Sequence, residues 1–402
     1  VSSSGGKSSG PIAFMKVYDA ATEYVKQGGK RRGANMGILN VDHPDIEEFI
    51  AAKSDGESLQ NFNISVGITD DFMHALEKQE EWKLINPRTG KVQNAVKATS
   101  IWDAITREAW KTGDPGLVFL DAINMDNPIR TQGNIQSTNP CGEVPLLDYE
   151  CCNLGSLNLT KVLIHNNGKV EIDWLKLEAN IQIAIRFLDN VITVNHYLLP
   201  QIKEVSIGNR KVGLGVMGWA ELLLMLEIPY ASEEAVKLGD KLMEFIQVKS
   251  YETSIKLAKE RGSFESWYES SYAPETPMRN VTCNSIAPTG TISIIANTSY
   301  SIEPLYALAY KRVGILGDKT QIEINHFVME KMKKMGLWTD QVKTKVLESG
   351  SIQQSPLIPE EIKKLFKTSL EIPWKYHLLH QRAWLYDNWL FLYYSPTDKL
   401  LL

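Results

Sequence analysis

At 402 residues the chain has room for two or three modest domains or one large α/β unit, and its 43% apolar and 23% charged residues fit a globular protein with a sizeable core. Forty-three Lys and Arg against 48 Asp and Glu leave a net charge of −5, so there is no general electrostatic reason to bind long nucleic acid or anionic lipid. Four cysteines without a C-x-x-C pair argue against a structural zinc site and for a reducing, cytoplasmic compartment.

The opening Val-Ser-Ser-Ser-Gly-Gly-Lys has neither an initiator Met nor an apolar core, so it is not a secretory signal and reads as the middle of something longer. No stretch approaches the roughly 20 apolar residues that a bilayer crossing needs. After this loop, Phe14, Val17, Ala21 and Val25 recur at helical spacing, predicting a helix over residues 12–27 that stops at Gly28-Gly29. A Gly/Lys/Arg turn leads to a strand at 38–41, and Pro44 opens a helix through Ile50. The apolar run 64–68 predicts a strand, followed by Thr69 as N-cap of a helix over 71–78. Ser100 is expected to cap a helix that ends at Gly113, and 116–120 reads as a buried strand. Longer helices are predicted over 173–195, 218–226 and 232–261, the last opened by Glu233-Glu234 and closed at Gly262. Short apolar strands alternating with helices predict an α/β fold with a largely parallel sheet, and no linker divides the chain.

Three patterns could carry chemistry. Gly213-Leu214-Gly215-Val216-Met217-Gly218 has the G-x-G-x-x-G form, but a dinucleotide loop needs a buried strand directly before its first glycine, and Gly208-Asn209-Arg210-Lys211 is not one. Close packing of a strand and helix is the preferred reading. In Asn139-Pro140-Cys141-Gly142-Glu143, Pro and Gly bracket a cysteine and enforce a tight turn that can present one sulfur beside an amide and a carboxylate. A turn around an inert, buried Cys fits the same residues. Pro288-Thr289-Gly290-Thr291-Ile292 offers hydroxyls and a glycine ahead of a helix-like run, which suits phosphate oxygens and equally suits a plain strand-to-helix turn. His377 and His380, at i and i+3, hint only weakly at a metal, and no metal site is expected.

Residues 139–143, followed by Cys152-Asn153-Leu154-Gly155-Ser156-Leu157-Asn158-Leu159, resemble the active-site finger loop of ribonucleotide reductase large chains, above all the adenosylcobalamin-dependent class II branch. Gly28-Gly29-Lys30-Arg31-Arg32-Gly33-Ala34-Asn35-Met36-Gly37-Ile38-Leu39 resembles that family's substrate-specificity loop. Ile286-Ala287-Pro288-Thr289-Gly290-Thr291-Ile292-Ser293 resembles its substrate-phosphate loop, and Ile302-Glu303-Pro304 follows in the family's order. The resemblance covers residues 8 to 383.

What it implies is a ten-stranded α/β barrel of the ribonucleotide reductase type, incomplete at both ends, with a central finger loop. Residues 1–383 would be a partial catalytic barrel domain and 384–402 a divergent C-terminal tail. The implied activity is thiyl-radical reduction of ribonucleoside di- or triphosphates to 2′-deoxyribonucleotides for DNA synthesis. By resemblance Cys141 is the thiyl, Glu143 the base on the 3′-hydroxyl and Asn139 a hydrogen-bonding partner of the substrate, while Cys152 is one of the two reducing cysteines. The other lies N-terminal to the first residue here. Asn139, Pro140, Cys141, Gly142 and Glu143 would bind substrate together with Pro288, Thr289, Gly290, Thr291 and Ile292. Gly29, Lys30, Arg31, Arg32 and Gly33 would respond to dNTP or ATP effectors. Adenosylcobalamin is the implied cofactor, a thioredoxin-like dithiol the external reductant, and a homodimer the implied assembly. Cys151 and Cys283 are read as structural. Alternatives are a class I large subunit activated by a metal-containing small subunit, a catalytically inactive nucleotide-binding remnant, and a nicotinamide oxidoreductase using Gly213 to Gly218.

Overall fold

The computed structural model describes residues 9–27, 31–166, 168–315 and 319–385, which group into two compact units. The first contains residues 9–151 and 269–271, the second residues 152–268 and 272–385. No described helix is long and apolar enough to cross a membrane.

The first unit opens with α1 (Gly10–Tyr24), which has Pro11 in its first turn and buries Ile12 while Phe14, Val17 and Tyr18 stay exposed. Short strands β1 (Lys26–Gln27) and β2 (Arg31–Arg32) pair antiparallel. Strand β3 (Asn35–Asn40), helix α2 (Ile46–Ile50), strand β4 (Phe62–Ile68) and helix α3 (Asp70–Glu77) follow, and the Thr69 hydroxyl caps α3 as its position predicts. A hairpin of β5 (Glu81–Ile85) and β6 (Val92–Lys97) leads to α4 (Ala98–Thr112), β7 (Gly116–Phe119) and α5 (Leu120–Met125). Helix α4 starts before Ser100, with Lys97 at its N-cap, so the Ser100 hydroxyl donates to the Lys97 carbonyl instead of capping. Gly113 ends α4 in the left-handed region, with φ +87°.

Strands β3, β4 and β7 form a parallel sheet in that order, with Met36 opposite Asn63 and Ser65 opposite Gly116. Because side chains alternate along a strand, Ile64, Val66 and Ile68 share one face and join Ile46, Phe49, Phe72 and Ile101 in the core. Each such burial contributes roughly 1.5–3 kcal/mol. Asn63, Ser65 and Gly67 take the opposite face. The unit ends in a small hairpin, β8 (Ser137–Thr138) against β9 (Pro145–Leu146).

In the second unit β10 (Asn153–Asn158) precedes a hairpin of β11 (Leu163–Asn166) and β12 (Lys169–Ile172). Helices α6 (Trp174–Val194), capped by Asp173, and α7 (Pro200–Asn209) then lead to β13 (Val212–Met217), which pairs in parallel with β10. Next come α8 (Trp219–Met225), α9 (Glu233–Arg261), capped by Ser232 and ended at Gly262, and α10 (Gly290–Ala296). The hairpin β14 (Ala309–Ile315) and β15 (Lys319–Ile324) is followed by α11 (His326–Lys334), α12 (Asp340–Ser349), α13 (Glu360–Leu365) and α14 (Trp374–Trp384). Trp384, assigned from sequence to the tail, is the last residue of α14, fully buried and edge-on to Trp219 with ring centroids 5.0 Å apart. Residues 386–402 lie outside the described residues.

The G-x-G-x-x-G segment is not a phosphate loop. Gly213 and Gly215 lie inside β13, every residue of which is buried, and a Cβ on Gly215 would sit 2.2 Å from the Ser285 carbonyl oxygen. These glycines let a neighbouring backbone approach the strand, which removes the basis for the nicotinamide alternative. Strand pairing among the described residues joins three parallel strands in one unit and two in the other, without tracing the expected ten-stranded closure.

Candidate active site

Residues 139–144 form the tip of the β8–β9 hairpin, where Ser137 pairs with Leu146 and Thr138 with Pro145. Within the tip the Asn139 amide donates to the Val144 carbonyl at 3.1 Å, and the Gly142 amide closes a turn onto the Asn139 carbonyl at 3.0 Å. Gly142 has φ +88°, a conformation that favours glycine. The Asn139 side chain works in both directions. Its Oδ1 accepts from the Val144 amide at 2.9 Å, and its Nδ2 donates to Glu143 Oε2 at 2.6 Å. Cys141 is exposed, which excludes the inert buried thiol as a reading of this turn. Asn139, Pro140, Gly142 and Glu143 are half-buried around it.

Beside this tip lies a pocket of about 410 Å³, lined by Pro140, Cys141 and Gly142 on one side and by Met36, Asn63, Ser65 and Asp114 among its other walls. The Asn63 amide donates to the Pro140 carbonyl. Asp114 forms an ion pair with Lys53 at 2.7 Å and accepts from the Ile64 amide at 3.3 Å. Of these wall residues the sequence points only to Met36, in the segment that resembles the substrate-specificity loop, and not to Asn63, Ser65 or Asp114. The available signal was the alternation Asn63-Ile64-Ser65-Val66-Gly67-Ile68, in which small and polar residues occupy every second position of an otherwise apolar strand.

The remaining predicted residues are placed separately. Cys152 is half-buried at the start of β10, and its thiol donates to the Asn153 carbonyl at 3.5 Å. Cys283 is buried, which pushes its thiol up to about 12 and suits a structural role. In the loop at 288–292, Thr289 is buried with φ +57°, and its hydroxyl accepts from the Ser301 amide at 2.8 Å. A Cβ on Gly290 would meet nothing within 4 Å, and Ile292 is exposed. Gly29 and Lys30 lie outside the described residues, Arg31 and Arg32 form β2, and Gly33 follows half-buried. Among the described residues no group of three or more His, Cys, Asp or Glu is arranged to hold a metal ion. His377 and His380 face the Ser369 and Tyr230 carbonyls, at 3.1 and 2.8 Å.

The sequence profile of the family described as "Ribonucleotide reductase, barrel domain" matches residues 1–277 and 273–385. The chain is 51% identical over 383 residues to a vitamin B12-dependent ribonucleoside-diphosphate reductase of Thermoplasma acidophilum, covering 95% of this chain and 49% of that protein. It is 46% identical over 384 residues to one of Mycobacterium tuberculosis, covering 95% and 55%. The chain thus spans about half the length of these curated relatives. In fold it is similar to the Actinobacillus ureae class Id ribonucleotide reductase alpha subunit, with a TM-score of 0.74 over 94% of this chain and 67% of that one, at 24% identity.

Proposed function

This chain belongs to the ribonucleotide reductase barrel-domain family, and on that premise we propose that it is the partial catalytic barrel of an adenosylcobalamin-dependent reductase, with Cys141 as its radical residue. Residues 1–383 would supply part of a ten-stranded barrel around the finger loop, with Trp384, which closes α14, belonging to the folded part and the rest of 384–402 a divergent tail. The observation that carries this is the exposed Cys141 at a loop tip whose flanking Asn139 and Glu143 are hydrogen-bonded to each other at 2.6 Å.

Hydroxide is a poor leaving group from an unactivated carbon, so acid–base work alone does not remove the ribose 2′-oxygen. A radical at C3′ makes the loss easy. As a thiyl, Cys141 takes the 3′-hydrogen atom, Glu143 accepts the 3′-hydroxyl proton and the protonated 2′-hydroxyl leaves as water. Asn139 holds Glu143 in register and hydrogen-bonds the substrate. Two cysteine thiols, one of them Cys152, give two electrons and two protons, one proton to the departing 2′-hydroxyl and one to C2′, and become a disulfide. Glu143 returns its proton to the 3′-oxygen, Cys141 returns the hydrogen atom to C3′, and an external dithiol such as thioredoxin restores the pair.

Adenosylcobalamin, when bound, supplies the radical that makes the thiyl. What supports the fit is the position of the sulfur: it is exposed beside a pocket of about 410 Å³, so a bulky reactant reaches it without opening the core. Pro140 and Gly142 would flank the reacting end. Residues 288–292 are proposed for the substrate phosphates and 29–33 for the response to dNTP or ATP effectors. A homodimer is supported by the exposed Phe14, Val17 and Tyr18 on α1.

The test is deoxynucleotide formation by protein of the relatives' length, comparing wild type with Cys141→Ser. Product that requires adenosylcobalamin and no second metal-containing protein is expected from wild type alone. Equal product from both proteins eliminates the thiyl, and dependence on a metal-containing partner favours the class I alternative.

A further inference from the structure

We propose that Asn63 on β4 is a positioning residue that sets where the Cys141 sulfur sits, by holding the carbonyl of Pro140. The inference rests on the reading of Cys141 as the radical residue and adds a role for a side chain outside the finger loop.

Strand β4 lies between β3 and β7 and is hydrogen-bonded on both sides. Of its seven residues six are buried, and Asn63 is the exposed one. Its side chain lines the pocket beside Cys141, and its Nδ2 donates to the Pro140 carbonyl across 77 positions of sequence. The bonds from the Asn139 and Gly142 amides, and from Val144 to Asn139 Oδ1, run within the loop and fix its shape. A bond from Asn63 refers that shape to a different element, the parallel sheet.

The lever is the peptide unit between Pro140 and Cys141. It is planar, so anchoring its oxygen fixes the plane that carries the Cys141 nitrogen and Cα. Hydrogen transfer to a thiyl is steep in distance, and misplacement by about 1 Å is enough to lower a rate about 100-fold. An amide at position 63 can donate, whereas a carboxylate of the same shape cannot. Asn63→Asp therefore removes the donor and keeps the volume, and Asn63→Leu removes it without adding charge.

Two measurements on both variants test this. In protein of the relatives' length, kcat for deoxynucleotide formation falls about 100-fold while the KM for nucleotide stays within about twofold, because Asn63 acts on the sulfur's position rather than on substrate affinity. In the 402-residue chain, the rate of Cys141 alkylation by iodoacetamide, followed by mass spectrometry of its peptide, shifts about fivefold, the scale of one lost hydrogen bond. A variant that does not fold is replaced by the other. Wild-type values of kcat and of alkylation in both variants overturn the proposal, as does a KM that rises in step with the fall in kcat. If the wild type makes no deoxynucleotide, the functional reading fails, and the alkylation rate alone decides whether Asn63 places the sulfur.

Discussion

The amide of Asn139 reaches Glu143 Oε2 at 2.6 Å while its oxygen accepts from the Val144 amide at 2.9 Å, so one side chain both closes the finger loop and aims its carboxylate. Asn139→Asp keeps the shape and the contact to Val144 but replaces a donor with an acceptor facing a second carboxylate. In protein of the relatives' length, deoxynucleotide formation should fall about 100-fold. The loop tip is half-buried, so the melting temperature should move by only a few degrees. Steady-state kinetics beside a thermal melt checks both halves, and a large loss of stability would mean that Asn139 supports the fold more than the site.

Gly142 is held at φ +88°, and a Cβ there would meet no atom within 4 Å. Gly142→Ala therefore acts through the backbone alone, at about 1 kcal/mol. Gly90 is the matched control, with φ +65° and an equally open environment. Both variants should lose similar stability in urea, but only Gly142→Ala should lose activity, because residue 142 adjoins the sulfur-bearing residue. Equal activity in the two proteins would show that the loop tolerates a shifted turn.

These two positions also mark what the sequence reveals. The finger loop is legible because Pro, Cys, Gly and Glu are contiguous, and the turn they enforce is local. Helix ends are legible for the same reason: Thr69, Asp173 and Ser232 cap the helices they precede, and Gly113 and Gly262 end theirs. Close strand packing at Gly213 and Gly215 is the preferred reading of the sequence, but what they pack against is not legible there. A Cβ on Gly215 would meet the Ser285 carbonyl, and one on Gly213 the Leu154 and Ser285 side chains, the serine some 70 residues later. Asn63 was hidden likewise. Its importance comes from a carbonyl that only the folded chain brings beside it.

His380 gives a pH dependence with a definite sign. It is fully buried, accepts from Trp219 Nε1 on Nδ1 at 3.3 Å and faces the Tyr230 carbonyl with Nε2 at 2.8 Å, an arrangement that suits the neutral ring with its proton on Nε2. Burial pushes its pKa from 6.5 down to about 4. Between those values the unfolded chain binds a proton that the folded chain does not, so unfolding is favoured as pH falls. The stabilisation is complete above pH 6.5, declines towards pH 4 and changes no further below it. Urea unfolding across this window should show the difference between wild type and His380→Gln shrinking as pH drops. A difference independent of pH would mean that the ring protonates in the folded state as readily as in the unfolded one.

In the second unit Asp189 pairs with three arginines at once. It is fully buried on α6 and accepts from Arg210 Nε at 2.7 Å, Arg261 Nη1 at 3.2 Å, Arg279 Nε at 3.2 Å and Asn280 Nδ2 at 3.2 Å. Those partners come from the residue that caps α7, the end of α9 and the segment before α10, so one carboxylate ties together chain that is distant in sequence. Asp189→Asn keeps the size of the side chain and removes the negative charge that the three guanidinium groups share. A buried group stripped of its counter-charge is typically destabilised by about 3–5 kcal/mol, and Arg210, itself buried, has no solvent to turn to. The exposed pair of Arg186 and Glu260, at 2.6 Å, offers the contrast: it is the shorter contact, yet water screens it, and Glu260→Gln should leave the urea midpoint unchanged. If the two substitutions shift the midpoint equally, burial is not what gives the Asp189 cluster its strength.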